Sequence, residues 1–379
     1  MPTGWVWHER CMWHDPGSAG GPLPAGGWIE PGTHVENVET KRRLRNLVEV
    51  SGLLAQLVAV APRPATAEEV CRVHDRGYVE RIEQMSASGG GDAGNMTPFG
   101  PGSYEIALLA AGGAIAALDA VLDGEVENCY ALTRPPGHHA MRDSGCGFCI
   151  FNNVAIAAAH AREARGLERV AIVDWDVHHG NGLQEAFYED PSVLTISLHQ
   201  DGNFPPNSGP VDENGAGAGA GAHINIPLPA GSGDGAYQAA VERVVVPALN
   251  RHRPQLVIVA SGYDASGMDP LAQMMLHSDS YRGMTGKVMD AARESCEGRV
   301  VVCHEGGYSP FVVPFCGLAL IETLAGIRTE VQDPYMPIIA GMPGQELLAH
   351  QDEAVARAER LVSNVRTAVP EGTAATTAD

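Results

Sequence analysis

Short, continuous apolar runs recur between about residues 129 and 308 and contain many β-branched residues. Five runs have this character, at residues 129–132, 170–173, 193–198, 256–260 and 300–303. Because apolar side chains do not alternate with polar ones, both faces of each strand would be covered. The pattern predicts the central strands of a mainly parallel sheet.

Longer stretches of helical character lie between or before these strands. Ser103–Leu122 is apolar and alanine-rich, and residues 152–165 end at Gly166, a residue type common just past a helix end. Residues 236–250 and 278–297 have similar character. The alternation predicts an α/β fold, with a central, mainly parallel sheet of about eight strands flanked by helices.

Glycine-rich segments interrupt this alternation without dividing the chain. Residues 215–221 alone would suit a flexible linker, but they lie between a predicted strand and the apolar residues 223–229, so we interpret them as a tight loop. Residues 89–91 mark another loop, expected at the rim of a site. We expect one catalytic domain over residues 1–370, and a disordered tail of small and polar residues over 371–379.

Charge and cysteine content argue against several classes of protein. The 379 residues carry a net charge of -21, and direct nucleic-acid binding is not expected because phosphate binding needs a basic surface. An acidic surface would suit cationic substrates, although solubility alone is sufficient reason for it.

The eight cysteines are too irregularly spaced for a disulfide scaffold. Cys146 and Cys149 form a lone CxxC, whereas a zinc ribbon needs a second pair.

Neither the start of the chain nor its apolar runs predict secretion or a membrane anchor. Residues 1–15 have no apolar signal core. The apolar runs at 53–61 and 107–118 are too short to cross a bilayer. We expect a soluble, cytoplasmic protein.

Polar residues of chemical use follow all five predicted strands. They occupy positions 134–139, 174–180, 199–201, 261–264 and 304–308. In open parallel sheets, ligands bind at the carboxyl ends of strands. One Asp or His there is usually a cap or a loop hydrogen bond, but five such strand ends together predict a functional site.

A metal site is the first function that these residues indicate. Asp176 and His178 are two residues apart on an extended segment, so their side chains point the same way. With Asp264 from another strand end they make three ligands and leave an open position, the layout of a catalytic zinc site. Iron(II) or cobalt would fit the same ligands, and a salt-bridged loop pair is the alternative. The sequence shows no carboxylates clustered for a second ion, which disfavours a ureohydrolase.

Two histidines and a tyrosine would complete the chemistry at such a metal. His138 and His139 follow a rigid Pro-Pro-Gly turn, and one would take a proton from the attacking water and return one to the leaving amine. Asp174 and Asn181 flank the metal strand and are natural partners for the two rings. Tyr308 follows two glycines, which permit close approach to a ligand, and its phenol would stabilise the oxyanion. Loop histidines and a surface tyrosine are the alternatives without function.

In order and spacing, these motifs resemble the histone deacetylase superfamily. They are Arg134-Pro-Pro-Gly-His-His-Ala140, Gly147-Phe-Cys149, Asp174-Trp-Asp-Val-His-His-Gly-Asn-Gly182, Ser197-Leu-His199, Gly262-Tyr-Asp264 and Glu305-Gly-Gly-Tyr308. The resemblance covers roughly residues 44–325. Asn181 and the Glu-Gly-Gly-Tyr form resemble the class II branch, including bacterial histone-deacetylase-like amidohydrolases. The resemblance implies the arginase/deacetylase α/β fold.

The resemblance also implies roles for individual residues. Zinc would be held by Asp176, His178 and Asp264. His139 would be the general base and acid, with His138 as its electrostatic partner, and Tyr308 would polarise the substrate carbonyl.

Cation sites and a substrate channel are implied in the same way. A first structural K⁺ or Na⁺ site would match Asp174, Asp176, His178, Ser197 and Leu198, mostly through backbone carbonyls. A second would involve Phe187, Asp190 and Val193. Phe148 and Phe204 would wall an acyl-lysine channel as parallel rings, with Gly147 beside them and Leu271 at the rim.

Leu271, the residue expected at the rim of the channel, differs from the residue that some relatives have there. Polyamine-specialised eukaryotic relatives carry a glutamate just after an Asp-Pro pair, whereas here Asp269 and Pro270 precede Leu271. This removes the specific reason to prefer a polyamine without excluding one. The resemblance thus implies a zinc-dependent deacylase of acyl-lysine or similar amines. An acetylpolyamine amidohydrolase and a non-catalytic protein that binds acylated amines are the alternatives, and the family leads us to expect a homodimer or homotetramer.

Overall fold

Eight parallel strands form the centre of the structure, a computed structural model that describes residues 2–367. The strands are β1 Thr3–Trp7, β2 Val58–Val60, β3 Asn128–Leu132, β4 Val170–Asp174, β5 Val193–Gln200, β6 His223–Leu228, β7 Leu256–Ser261 and β8 Val300–His304. Their order in the sheet is β6-β5-β4-β7-β8-β3-β1-β2, and every neighbouring pair is parallel. The predicted sheet is confirmed, while the predicted tail at 371–379 lies outside the described residues.

All five strands that the apolar runs predict are present, and each is extended by one or two residues. The other three strands were not predicted. β6 contains Pro227, which argues against a central strand, and it is accommodated because β6 lies at the edge of the sheet. β2 lies at the opposite edge, where its three residues are largely exposed and carry little of the buried pattern that identifies a strand.

Helices cover both faces of the sheet. They are α1 Glu39–Val50, α2 Ala67–Val70, α3 Arg76–Ala87, α4 Ser103–Leu122, α5 Asn153–Glu163, α6 Asn181–Phe187, α7 Asp234–Ala240, α8 Val246–His252, α9 Ser278–Cys296, α10 Val313–Ala325, α11 Met336–Ala340 and α12 Ala349–Glu359. A π-helical turn, Val241–Val245, joins α7 to α8, where the sequence predicted one continuous helix. The glycine-rich loop before β6 contains a 3₁₀ turn, Gly217–Gly219, and is compact, as expected.

Strand β4 shows why its sequence is apolar without alternation. Val170 and Ile172 pack into the core layer that contains residues of α4 and α5, whereas Ala171 and Val173 pack into the layer that contains residues of α8, α9 and α10. Successive side chains point to opposite faces of a strand. Both faces are therefore buried, and every position needs an apolar side chain.

Helix α4 corrects one expectation from the sequence. The apolar run at 107–118 was considered too short for a bilayer, but the complete helix has 20 residues and is long and apolar enough to span one. In the structure, 72% of its most apolar window is buried within the protein, as in a core helix. Gly112 permits this packing, since a Cβ there would lie 1.7 Å from the carbonyl oxygen of Arg63.

The order of the strands reverses between β4 and β7. From β4 the chain continues outward through β5 and β6, and from β7 it continues in the opposite direction to β8. Such a reversal leaves a crevice at the carboxyl ends of the two strands. The loops after β4 and β7 carry the residues that the sequence predicts as metal ligands.

Candidate active site

Three side chains from two loops converge in this crevice. Asp176 and His178 follow β4, and Asp264 follows β7. His178 Nδ1 lies 3.0 Å from Asp176 Oδ1 and 3.2 Å from Asp264 Oδ2, and one ligand atom from each residue lies within 4.8 Å of the other two. All three residues are buried. The structure thus brings the predicted ligand set together.

The three residues fit a divalent cation. Asp264 Oδ1 accepts a hydrogen bond from the Val177 amide at 2.9 Å, but the buried Oδ2 has no hydrogen-bond partner. Burial and the charge of Asp176 raise the pKa of Asp264. A buried carboxylate oxygen without a donor is costly, and a dication would satisfy it. One imidazole nitrogen and two carboxylates form a donor set that zinc accepts.

Two glycines make room for the carboxylates. A Cβ at Gly262 would lie 2.2 Å from Asp176 Oδ2, and a Cβ at Gly306 would lie 2.1 Å from Asp264 Oδ2. The Gly306 amide also donates to Asp176 Oδ2 at 2.8 Å. From the sequence, the glycines before Tyr308 predicted a close approach to a ligand. In the structure, the first of them lies against the ligand carboxylates instead.

Gly306→Ala is expected to weaken zinc binding about tenfold or more, because the added methyl must displace two ligand carboxylates. Zinc affinity would be measured by competition with a chromophoric chelator. Gly286→Ala on α9 is the control, since its Cβ would meet no atom within 4 Å. Equal zinc affinity in the two variants would contradict this packing argument.

The two adjacent histidines lie beside the ligands with their rings tilted by 43° to each other, and each has its own partner. Their ring centroids are 3.9 Å apart. His138 Nδ1 lies 3.0 Å from Asp174 Oδ2, and His139 Nδ1 lies 2.7 Å from Asn181 Oδ1. Asp174 and Asn181 are the partners that the sequence predicts; Asp174 ends β4 and Asn181 begins α6.

The two rings have opposite protonation preferences. Burial alone lowers the pKa of His138, but the charges of Asp176 and Asp174 outweigh burial and raise this pKa to about 10. Burial lowers the pKa of His139 well below its usual value, and the charges of His138 and His178 lower it further. A dication at the ligands would reduce the pull of Asp176 on both rings. His139 is thus the ring that stays neutral near pH 7.

Glu305 supports the turn that carries the histidines, a role that the sequence did not reveal. Its Oε2 accepts hydrogen bonds from the amides of Gly137 at 2.6 Å and His138 at 3.1 Å. Burial raises the pKa of Glu305 to about 7.

The nearby thiols of Cys146 and Cys149 are both free. Burial raises the pKa of Cys146 to about 11 and that of Cys149 well above its usual value, so neither is a reactive thiolate.

Tyr308 is held from two sides. Its backbone amide donates to Asp269 Oδ2 at 2.7 Å, and its ring packs against the Phe148 ring in a T-shaped pair with a centroid distance of 5.9 Å. The other oxygen of Asp269 accepts from the Leu271 amide at 2.9 Å. One buried carboxyl group therefore connects the tyrosine to the rim, although the sequence singled out Asp269 only as the residue before Pro270.

A cavity of about 210 Å³ leads down to His139, His178 and Tyr308. Its other lining residues are Pro22, Met96, Gly147, Phe148, Asn203, Phe204 and Leu271. Four of these were predicted as channel residues. Pro22, Met96 and Asn203 were not, and only the glycine run before Met96 signalled a loop at the rim.

The channel walls depend on an unusual turn. Gly147 and Phe148 both have positive φ, 51° and 70°, which is uncommon for phenylalanine. A Cβ at Gly147 would lie 2.4 Å from the His139 ring and 2.8 Å from Phe204. Phe204 also meets the edge of the His139 ring at a centroid distance of 5.1 Å. One wall thus contacts Tyr308 and the other contacts His139.

The structure shows the surroundings of the residues predicted to bind monovalent cations. Asp174 and Ser197 are neighbours across β4 and β5, and Leu198 is the next residue. At the second predicted site, the Phe187 carbonyl already accepts from His223 Nε2 at 2.7 Å and from the Asp190 amide at 2.9 Å. A cation bound through that carbonyl would compete with these donors. Both cation sites, including Val193, stay predictions.

Comparisons with known proteins agree with this geometry. A model of the histone deacetylase domain matches residues 34–324. The histone deacetylase-like amidohydrolase of Pseudomonas aeruginosa is 53% identical over 340 residues, which cover 89% of this chain and 90% of that protein. The polyamine deacetylase HDAC10 of Homo sapiens is 35% identical over 83% of this chain and 47% of its own length.

A solved structure gives the same result for the fold. The crystal structure of the HDA15 HD domain matches with a TM-score of 0.80 and 31% identity, covering 96% of this chain and 98% of that one. The arginase/deacetylase fold that the motifs imply is therefore confirmed. This chain belongs to the histone deacetylase family, a family of deacetylases and amidohydrolases.

Proposed function

We propose that this chain is a zinc-dependent deacylase that hydrolyses the amide of acyl-lysine side chains or similar acylated amines. The observation that carries the proposal is the buried set Asp176, His178 and Asp264, with its unpartnered carboxylate oxygen, beside a cavity that ends at His139 and Tyr308. When bound, zinc polarises the amide carbonyl and lowers the pKa of a water molecule.

His139 is the proposed general base and acid. Its depressed pKa keeps the ring neutral near pH 7, so it is free to accept a proton from the attacking water. It then gives a proton to the leaving amine, which would otherwise depart as a poor leaving group. Asn181 Oδ1 beside Nδ1 favours the tautomer with a proton on Nδ1, which leaves Nε2 as the accepting nitrogen.

His138 is proposed to act through its charge. The pair with Asp174 fixes the orientation of its ring, and its raised pKa favours the charged form. The positive ring beside His139 opposes protonation of His139 before the substrate is attacked. It also stabilises the negative charge that develops on the amide during the attack.

Tyr308 is the proposed hydrogen-bond donor to the substrate carbonyl. Burial raises the pKa of its phenol well above its usual value, and the charges of Asp264 and Asp176 raise it further. The hydroxyl therefore keeps its proton and is available to donate it in a hydrogen bond. The hydrogen bond that its backbone amide donates to Asp269 sets the position of the residue.

The shape and charge of the cavity favour an acyl-lysine over a polyamine. Phe148 and Phe204 leave a narrow, mainly apolar passage that suits a straight aliphatic chain. Among the described lining residues there is no carboxylate, so the wall offers no partner for the free ammonium group of an acetylpolyamine. One relative is a polyamine deacetylase, which keeps an acetylpolyamine as the second candidate.

The decisive experiment compares an acetyl-lysine peptide with acetylputrescine, using zinc-reconstituted enzyme and detecting the free amine. We expect hydrolysis of both, with a higher kcat/KM for the peptide. A strong preference for acetylputrescine would reverse the ranking. Tight binding of either compound without release of acetate would support the non-catalytic alternative.

Leu271→Glu is expected to increase kcat/KM for acetylputrescine about fivefold relative to the peptide, because a partly exposed carboxylate at the rim would attract the free ammonium group. Leu271→Gln has nearly the same size without the charge and is the control. The same substrate ratio in both variants would show that charge at the rim does not select the substrate.

The remaining expectations from the sequence are retained as proposals. They are a structural K⁺ or Na⁺ at the first cation site, a single domain over residues 1–370, assembly into a homodimer or homotetramer, a soluble cytoplasmic location and no direct binding of nucleic acid. The net charge of -21 supports the last of these.

A further inference from the structure

Lys41 is a buried lysine whose ammonium group lies against the ring of Tyr308. Its Nζ atom is 5.7 Å from the centre of that ring, within the range of a cation–π contact. Only 1% of its side chain is exposed. Lys41 is also one of only two lysines in the chain, and no step of the proposed mechanism uses it.

Helix α1 brings Lys41 to this position. α1 packs against α10, the helix that follows the Tyr308 loop. The two helices approach closely at Gly317, where a Cβ would lie 2.6 Å from Leu44 Cδ2. Lys41 and Leu44 are three residues apart and share one face of α1. The face that buries α1 therefore also directs Lys41 into the protein.

Lys41 belongs to a buried cluster with one surplus positive charge. Glu36 Oε1 lies 3.2 Å from Lys41 Nζ, and Arg134 donates to the same carboxylate through Nε at 2.9 Å and Nη2 at 2.8 Å. One carboxylate thus faces two cations. Among residues 2–367, Glu36 is the one hydrogen-bond partner found for Lys41 Nζ, which leaves further donors of the ammonium group unpaired by hydrogen bonds.

The histidines beside this cluster do not add charge to it. Burial and then the charge of Arg134 lower the pKa of His14 to about 3. Burial and then the charge of Lys41 lower the pKa of His304 well below its usual value. Both rings are therefore neutral near pH 7, and within this cluster Lys41 is the cation that lies against the Tyr308 ring.

We propose that Lys41 is a positioning residue for Tyr308, which holds the ring and makes its hydroxyl a stronger hydrogen-bond donor to the amide carbonyl. A cation over the ring face attracts electron density from the phenol and favours negative charge gathering on the carbonyl oxygen. Phe148 packs against the ring of Tyr308, and Asp269 holds its backbone amide, but neither supplies a positive charge. This inference rests on the proposed function, in which Tyr308 donates to the substrate.

A double-mutant cycle with Lys41→Met and Tyr308→Phe tests this inference in zinc-reconstituted enzyme with an acetyl-lysine peptide. Lys41→Met removes the charge, keeps an unbranched side chain and leaves Glu36 paired with Arg134. We expect kcat to fall about tenfold, with KM changed less than about threefold. In the Tyr308→Phe background, the same substitution should cost less than about twofold, because the hydroxyl through which Lys41 acts is gone.

Controls separate this role from a structural one. Lys287→Met, at the second lysine of the chain, is expected to leave kcat unchanged. Zinc content and the unfolding temperature are measured for every variant, and Lys41→Gln replaces Lys41→Met if the latter does not fold. A tenfold loss that persists in the Tyr308→Phe background, or a loss confined to KM, overturns the role of Lys41 and leaves the proposed function intact. If Tyr308→Phe alone leaves kcat unchanged, the proposed role of Tyr308 fails, and the inference for Lys41 fails with it.

Discussion

Asp264→Asn is expected to abolish zinc binding and to lower kcat/KM at least about 1000-fold. Asparagine keeps the Oδ1 atom that accepts from the Val177 amide, so the loop retains its main anchor. The amide nitrogen would replace Oδ2, the unpartnered atom that faces His178. Zinc content by atomic emission and hydrolysis of an acetyl-lysine peptide measure the two effects.

For the metal-free protein, we also predict the effect of Asp264→Asn on the unfolding temperature. There, Asp264 is a buried carboxylate close to Asp176, and its replacement by a neutral group removes repulsion between like charges. The unfolding temperature of the metal-free variant should therefore be equal to or higher than that of the unsubstituted chain. Asp333→Asn is the matched control, since Asp333 also accepts a backbone hydrogen bond but lies outside the site. Full zinc content in Asp264→Asn would exclude Asp264 as a ligand.

Tyr308→Phe is expected to reduce kcat by about 100- to 1000-fold, the cost of removing one donor to a developing oxyanion. KM should change little, because the ring still packs against Phe148 and the backbone still bonds to Asp269. Zinc content should also stay the same, because the three ligands are untouched. Steady-state kinetics with an acetyl-lysine peptide separate kcat from KM.

Tyr335→Phe is the control for this loss, because Tyr335 lies only partly buried and away from the cavity. It should leave kcat unchanged. A Tyr308→Phe enzyme that retains full kcat would show that the hydroxyl does not contact the reacting carbonyl. A parallel loss of zinc would instead indicate that the substitution disturbs Asp264 or Asp176.

The parallel sheet explains why so much of the site was predictable. Parallel strands end at one edge of the sheet, so residues that follow different strands meet there even when they are distant in the chain. Asp176 and Asp264 are an example, and the pairs His138 with Asp174 and His139 with Asn181 arise at the same edge. Knowing which segments were strands was sufficient to place these residues together.

The buried charged cluster beside Tyr308 could not be predicted in the same way. It consists of Glu36, Lys41 and Arg134. Glu36 and Lys41 lie in a polar stretch with many charged neighbours, and charged residues near the start of a helix usually face solvent. Arg134 was noted only as the start of a motif. All three charges are buried, and Lys41 enters the protein on the helix that packs against α10. No local pattern encodes contacts between such distant segments.

The alternation of apolar runs and helices was enough to predict the α/β class, the mainly parallel sheet and the loops that carry the metal ligands, because these features depend on the periodicity of neighbouring residues. The packing of distant segments determined the rest. The loop residues Pro22, Met96 and Asn203 meet in one channel, Asp269 links Tyr308 to Leu271, and Lys41 reaches the tyrosine ring. Apart from the local hydrogen bond between Asp269 and Leu271, these contacts join residues far apart in the chain, so they form only when the core brings those segments together.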